Sequence, residues 1–216
     1  MKLIVAGLVG VLALSRVAHA QSPVNGPSED DFKGYVEVVA QSAFGNVTSQ
    51  SFGFEGGIAL TRVATLFAEF GMARDTSPKS IGQAAQVIAN SLGAGSGYTV
   101  KQPVQFGIVG FQYAIPFSER FHPYFAAGGG LAKVKRDVTF SVGGADVTSK
   151  LDTYGVVLGT DLAGTVSKPM LSAGGGVIWN VTSRIFFDAS YRFGRIMTDT
   201  TGTNLSRAGA GIGFGF

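Results

Sequence analysis

The sequence predicts an all-β fold, an eight-stranded antiparallel up-and-down transmembrane β-barrel, and three observations carry that prediction. Apolar residues alternate with small or charged ones over eight separate segments, the period of strands with one greasy and one polar face. Charged residues make up only 14% of the chain, while glycine reaches 32 of 216 residues and phenylalanine 17; an ordinary soluble domain carries roughly 25% charge. The connections alternate between short and long, as they do when strands run up and down through a bilayer.

The first twenty residues, MKLIVAGLVGVLALSRVAHA, are expected to be a signal peptide over 1–20. Lys2 precedes an apolar run from Leu3 to Leu14, and Ala18-His19-Ala20 offers a small-x-small cleavage site. The run is shorter than the ~20 residues a spanning helix needs, which argues against an uncleaved anchor. Cleavage after Ala20 removes two of the 17 basic residues and no acid, leaving 15 basic against 14 acidic. A nearly neutral chain without a basic cluster interleaved with aromatics is not expected to bind nucleic acid. The chain has no cysteine, which excludes a disulfide framework and a thiolate metal site. No later stretch is long and apolar enough for a spanning helix, so an exported chain with an apolar exterior is left with a closed barrel. Residues 21–31, QSPVNGPSEDD, have no apolar period and are expected to form a flexible periplasmic tail, with the barrel over 32–216.

Each element follows from its own alternation. From Gly34 to Ser42, Tyr35, Glu37, Val39 and Gln41 share one face and Val36, Val38 and Ala40 the other. The second segment sets Phe52, Phe54, Ile58 and Leu60 against Gly53, Glu55 and Gly57; the third sets Leu66, Ala68, Phe70 and Met72 against Thr65, Glu69 and Gly71. The fourth, QPVQFGIVGFQYAI, leaves its register open, because Val104, Phe106 and Ile108 alternate with Gln105 and Gly107 but Phe111 and Gln112 then trade places. In the fifth, Tyr124, Ala126, Gly128, Ala132 and Val134 oppose Ala127, Gly129, Lys133 and Lys135. In the sixth, Leu171, Ala173, Val177 and Trp179 oppose Ser172, Gly174 and Gly176. The seventh opposes Phe187, Ala189, Tyr191 and Phe193 to Asp188, Ser190 and Arg192. The last segment, RAGAGIGFGF, puts Ala208, Ala210, Ile212, Phe214 and Phe216 on one face and Arg207 with four glycines on the other.

Segments two and three, four and five, and six and seven are joined by short turns. Roughly twenty-five residues separate the third from the fourth and about thirty the fifth from the sixth, longer than loops in a compact domain. Within the first long loop, Ser77-Pro78 followed by Ile81, Ala84, Ala85, Ile88 and Leu92 reads as an N-cap, a first-turn proline and a 3.6-period stripe, so a short helix is expected at the outer mouth. The second, across 141–168, is left without a definite structure, although VTSKLDTYGVVLGTDLAGTVSKP could extend the neighbouring strands.

A soluble ligand-binding barrel would also alternate, but its outer face would carry about 25 to 35% charge. Here the polar face is mostly Gly, Ser and Ala with one or two charges per strand, which suits the cramped lumen of eight strands. Glu37, Glu55, Glu69, Asp188, Lys133, Lys135, Arg192 and Arg207 are therefore assigned to a balanced salt-bridge network across the lumen. Trp179, Tyr124, Phe117 and Phe121 are assigned to an aromatic girdle at the short-turn end.

PYFAAGGGLAKV, SAGGGVIWNVTSRIFFDASYRFG and the terminal aromatic resemble the OmpA-like and OmpX-like transmembrane domains of Gram-negative outer membranes, over residues 32–216. That resemblance implies outer-membrane lipid and lipopolysaccharide as surroundings, and implies that Phe216 is part of the signal read by the barrel-assembly machinery. No peptidoglycan-binding segment is expected beside the barrel, so cell-wall anchoring by that route is not implied.

His122 with Ser118 and Glu119 in PFSERFHP has the residue types of a Ser/His/acid site. They sit in a short turn, however, whereas barrel hydrolases of the resembled class work at the outer leaflet. The runs Gly128 to Gly130 and Gly174 to Gly176 lack the Lys-Ser/Thr of a phosphate loop, and the sequons at Asn46 and Asn180 give no information. No catalytic residue, metal or cofactor is expected. The expected role is structural or interactive (membrane integrity, adhesion, or an extracellular partner held by the long loops), with a narrow porin-like channel as the alternative and a lipid-modifying enzyme third.

Overall fold

The computed structural model of the protein describes residues 33–45, 47–159, 162–197 and 202–216. The expected signal peptide and the tail at 21–31 lie outside these residues. The strands are β1 (Gly34–Phe44), β2 (Ser49–Ala59), β3 (Ala64–Ala73), β4 (Ser96–Lys101), β5 (Val104–Ala114), β6 (Phe121–Val142), β7 (Ala145–Asp146), β8 (Ala163–Asn180), β9 (Ile185–Ile196) and β10 (Thr203–Gly215). One helix, α1 (Lys79–Ser91), and a 3-10 segment at Thr148–Tyr154 lie in the two long loops.

Antiparallel pairing runs β6-β5-β3-β2-β1-β10-β9-β8, and β8 pairs back onto β6 to close the sheet. Both β4 and β5 pair with β6, as one stave broken at Gln102-Pro103; Pro103 has no N–H to give the ladder. Eight staves therefore form the barrel. The last strand lies on the first, from Tyr35 opposite Gly215 to Phe44 opposite Ser206. The Gly34 N–H donates to the Phe216 carbonyl at 3.0 Å and the Phe216 N–H returns the bond at 2.9 Å. Among the described residues the eight-stave wall itself therefore has no open edge.

The turns at 60–63, 115–120 and 181–184 lie at the end that holds Gly34 and Phe216; the long loops at 74–95 and 143–162 lie at the other. Outward residues are apolar for most of the barrel's height. On β6, Phe121, Phe125, Ala127, Gly129 and Leu131 face out before Lys133 follows. Ten residues at ~3.3 Å each, tilted by about 40°, span ~25 Å, the height of a lipid-facing band. Polar or basic residues mark its upper limit on the neighbouring strands too: Gln50 above Phe52, Arg74 above Met72 and Gln105 above Gly107.

Two register readings change. On β5 the alternation is unbroken: Val104, Phe106, Ile108 and Gln112 are buried inside, while Gln105, Val109, Phe111 and Tyr113 face out. The apparent exchange at Phe111 and Gln112 arises because this strand presents its apolar residues to the lumen at the loop end and a glutamine at the turn end. On β6, Tyr124, Ala126, Ala132 and Val134 are the inward residues, so Lys133 and Lys135 point outward. They correct the assignment of those lysines to the lumen. On most strands the charged residue lies opposite the aromatics and faces the lumen, but on β6 the aromatic Tyr124 is itself inside.

Glycine on the inner face makes room for bulk from the next stave. The Tyr35 ring covers Gly57 and the Phe186 ring covers Gly213, so a Cβ at either glycine would collide with the ring. On the same strand a Cβ at Gly211 would meet the Glu37 carboxylate and one at Gly209 the backbone of Ala40 and Gln41.

Beyond the band, β4, β6 and β8 continue outward. β6 turns into β7 through Gly143 and Gly144, at φ 56° and 84°, as a two-residue hairpin with left-handed residues requires. Here Ala85, Ala89 and Leu92 of the helical loop pack with Val138, Phe140, Val147, Leu151 and Leu162 as a second hydrophobic core. The helix starts one residue later than expected. Pro78 (φ −72°, ψ 150°) occupies the cap position and makes no side-chain cap, while the Ser77 hydroxyl donates instead to Asp75.

Candidate functional site: the charged interior

Register brings three carboxylates side by side: Glu37 faces Glu55 across β1 and β2, and Glu55 faces Glu69 across β2 and β3. All three are at most 5% exposed. Like charges on adjacent strands repel, and the answering cations come from β9 and β10, further round the same side of the barrel. Arg192 on β9 reaches Glu55, with Nη2 at 3.1 Å from Oε2. Arg207 on β10, fully buried, holds Glu69 with both terminal nitrogens, Nη2 lying 3.2 Å from Oε2. The two-pronged geometry suits a guanidinium better than an ammonium.

Neutral side chains complete the network. Tyr35 donates its hydroxyl to Glu55 Oε1 at 2.5 Å, and Tyr124 donates to Asp188 Oδ2 at 2.8 Å. Arg207 Nη1 also donates to Gln41 Oε1 at 3.3 Å. The Arg207 guanidinium lies 4.3 Å from the Phe106 ring centre, and that of Arg192 lies 5.1 Å from Phe67 and 5.5 Å from Tyr124. Arginine stacked on rings in a site closed to water gains more than the same contact at a surface.

Of the eight residues assigned to the lumen from sequence, six stand there: Glu37, Glu55, Glu69, Asp188, Arg192 and Arg207. Without Lys133 and Lys135 the charges do not balance. Among the described residues, Glu37 and Asp188 are in no ion pair, and Glu37 Oε1 and Asp188 Oδ1 have no hydrogen-bond partner. Sequence reasoning did not name Tyr35, Gln41, Phe67 and Phe106 as partners. Parity alone puts Tyr35 and Gln41 beside Glu37, and Phe67 beside Glu69; the signal was present.

The girdle assignment divides. Phe121 stacks on Trp179 with ring centres 6.1 Å apart, and Trp179 lies 6.1 Å from Phe187. Phe117 is exposed in the turn. Tyr124 is a correction: it is 3% exposed and faces the lumen, where its hydroxyl finds Asp188. A buried tyrosine with a hydroxyl partner inside gains nothing at an interface.

The residues of a hydrolytic triad do not assemble. His122 Nε2 lies 3.2 Å from the Glu119 carbonyl oxygen and 3.1 Å from Asn180 Nδ2, while the Ser118 hydroxyl accepts the Phe121 N–H at 3.0 Å. Glu119 contributes its backbone, and the imidazole meets no serine. Among the described residues no group of three or more His, Cys, Asp or Glu could hold a metal ion.

A charged, filled interior inside an apolar, closed wall gives the chain the fold of the small outer-membrane β-barrels. No protein-family model and no curated protein matches the sequence. Solved structures do match the fold. Neisserial surface protein A is 14% identical, with a TM-score of 0.54 over 85% of this chain and 96% of that one. Ail, the attachment invasion locus protein of Yersinia pestis, is 15% identical, with a TM-score of 0.46 over 85% and 99%. The outer membrane enzyme PagL is 8% identical, with a TM-score of 0.43 over 84% and 99%.

Proposed function

We propose that the protein is a non-conducting, non-enzymatic barrel that holds a folded platform at the outer surface of the bacterial outer membrane, with a role in membrane integrity or surface contact. The observation that carries this reading is the second hydrophobic core. The extensions of β4 and β6, α1 and the 3-10 segment bury Ala85, Ala89, Phe140 and Leu151 beyond the lipid band, giving the loops a defined shape. Loops that carry their own packed core present a fixed surface, which favours recognition over mere connection. Arg207 and Arg192 with their carboxylates and rings fill the lumen below, which favours support over passage. Phe216, outward and exposed at the end of the closing strand, fits the role of recognition residue for the barrel-assembly machinery.

The test is electrical and adhesive. Full-length protein folded into a planar bilayer should give no steady conductance; a large, steady one would replace this reading with the narrow porin-like channel. Cells carrying a variant with residues 76–98 replaced by a short Gly-Ser link should attach to surfaces or to one another less than cells with the wild type, at equal amounts of heat-modifiable barrel.

A further inference from the structure

The upper limit of the lipid band is not evenly polar. On one side of the barrel Arg74, Lys101, Lys133 and Lys135 stand together, all exposed. Register explains the grouping: Lys133 lies opposite Gln105, and Met72 lies opposite Gln105 on its other side, one step below Arg74. Lys101 lies opposite Asp137 at the foot of the β4–β6 extension. A groove of ≈ 1020 Å³ runs across this row, lined by all four basic side chains together with Gln50 and Gln105.

Within the row, Lys135 pairs with Asp137 at 3.0 Å, both well exposed, and Arg74 donates to Gln50 Oε1 at 2.6 Å. Asp75 also lines the groove, but its carboxylate already accepts the N–H groups of Ser77 and Gln102 at 2.9 and 3.0 Å. Among the described residues, Lys101 and Lys133 are in no ion pair. Four cations against two engaged carboxylates leave the groove positive, at the depth where the bilayer changes from acyl chain to head group. Immediately below are Met72, Phe70 and Leu131, outward and 47 to 64% exposed.

We propose that this groove binds the phosphate groups of an outer-leaflet lipid, with the acyl chains lying against Met72, Phe70 and Leu131. The occupant follows from the two halves of the surface taken together. A soluble anion matches the basic row but leaves the apolar residues below it unused; a neutral lipid matches the apolar residues but leaves Lys101 and Lys133 unanswered. A phosphorylated lipid matches both. Basic residues next to a membrane surface each add to the attraction for anionic head groups. The proposal rests on the membrane placement of the barrel and not on what the loops contact.

The test uses full-length protein in phosphatidylcholine nanodiscs doped with diphosphorylated lipid A, with bound lipid read by native mass spectrometry. The wild type should retain lipid A in preference to phosphatidylcholine and retain its dephosphorylated form far less. Each neutralisation among Arg74→Gln, Lys101→Gln, Lys133→Gln and Lys135→Gln should lower retention about fivefold. Raised salt should do the same for the wild type, and excess inorganic phosphate should not displace the lipid. Equal retention of phosphorylated and dephosphorylated lipid, or full retention by the fourfold variant, overturns the proposal. If the fourfold variant does not fold, the Lys101→Gln/Lys133→Gln pair decides by the same readout. Displacement by inorganic phosphate would reassign the groove to soluble anions. Lipid retention and bilayer conductance are separate measurements, so either reading fails without the other.

Discussion

The lumen has two walls of opposite character. β9, β10, β1, β2 and β3 contribute the buried ions among the described residues: Asp188, Arg192, Arg207, Glu37, Glu55 and Glu69. The facing wall, β5 and β6, contributes Val104, Phe106, Ile108, Ala126, Ala132 and Val134, buried together in one apolar cluster. Both walls fill the same narrow space. A lumen-facing position is therefore set by parity and fit and not by charge, and the ionic wall is stable because the apolar wall keeps water away and lends its rings to the two arginines.

That dependence predicts the largest effect at Arg207. Replacing it by Met leaves Glu69 buried beside the other carboxylates with no cation, at a cost of about 3–5 kcal/mol. Urea titration of the barrel in lipid vesicles measures it. Arg207→Met with Glu69→Met should recover most of the loss, since a packed apolar pair can match a buried ion pair. A single variant as stable as the wild type would mean that the two walls do not depend on each other.

A smaller effect is expected where the two faces of the last strand meet. Gly213 lies under the Phe186 ring, which is 1% exposed. Gly213→Ala forces the ring aside in a filled lumen, and overpacking of this kind costs about 1–3 kcal/mol. Gly82 in α1 has nothing within 4 Å of an added Cβ, so Gly82→Ala should not destabilise the protein. Equal losses at the two positions would show that strand propensity, rather than room beneath a ring, selects glycine on the lumen face.

Much of this was legible in the sequence because a strand's period is short and the environments are extreme. Phe54 and Phe70 outside with Glu55 and Glu69 inside need only parity. The staves that misled are β5 and β6, whose inner faces are apolar, so that hydrophobicity no longer distinguishes lumen from lipid. There Phe106 and Tyr124 turn inward, and Lys133 and Lys135 turn out. The two-wall arrangement is a property of the closed barrel, since Arg207 and Glu69 are 138 residues apart in the chain and meet only across the lumen. The platform was half legible: the apolar stripe of α1 could be read, but its partners Val138 and Phe140 belong to the part of β6 beyond the membrane, and no local pattern marks where a strand leaves lipid.

Lys133 sharpens the comparison from its other side. It carries the same kind of charge as Arg207 but stands outside, at the edge of the band, with water and head groups to solvate it. Lys133→Gln in phosphatidylcholine should therefore change stability by less than about 0.5 kcal/mol, the usual range for surface substitutions. The same vesicle titration used for Arg207→Met checks it. A loss comparable to that of Arg207 would place the Lys133 ammonium in the ionic wall, and the outward register of β6 would then have to be redrawn from Leu131 upward.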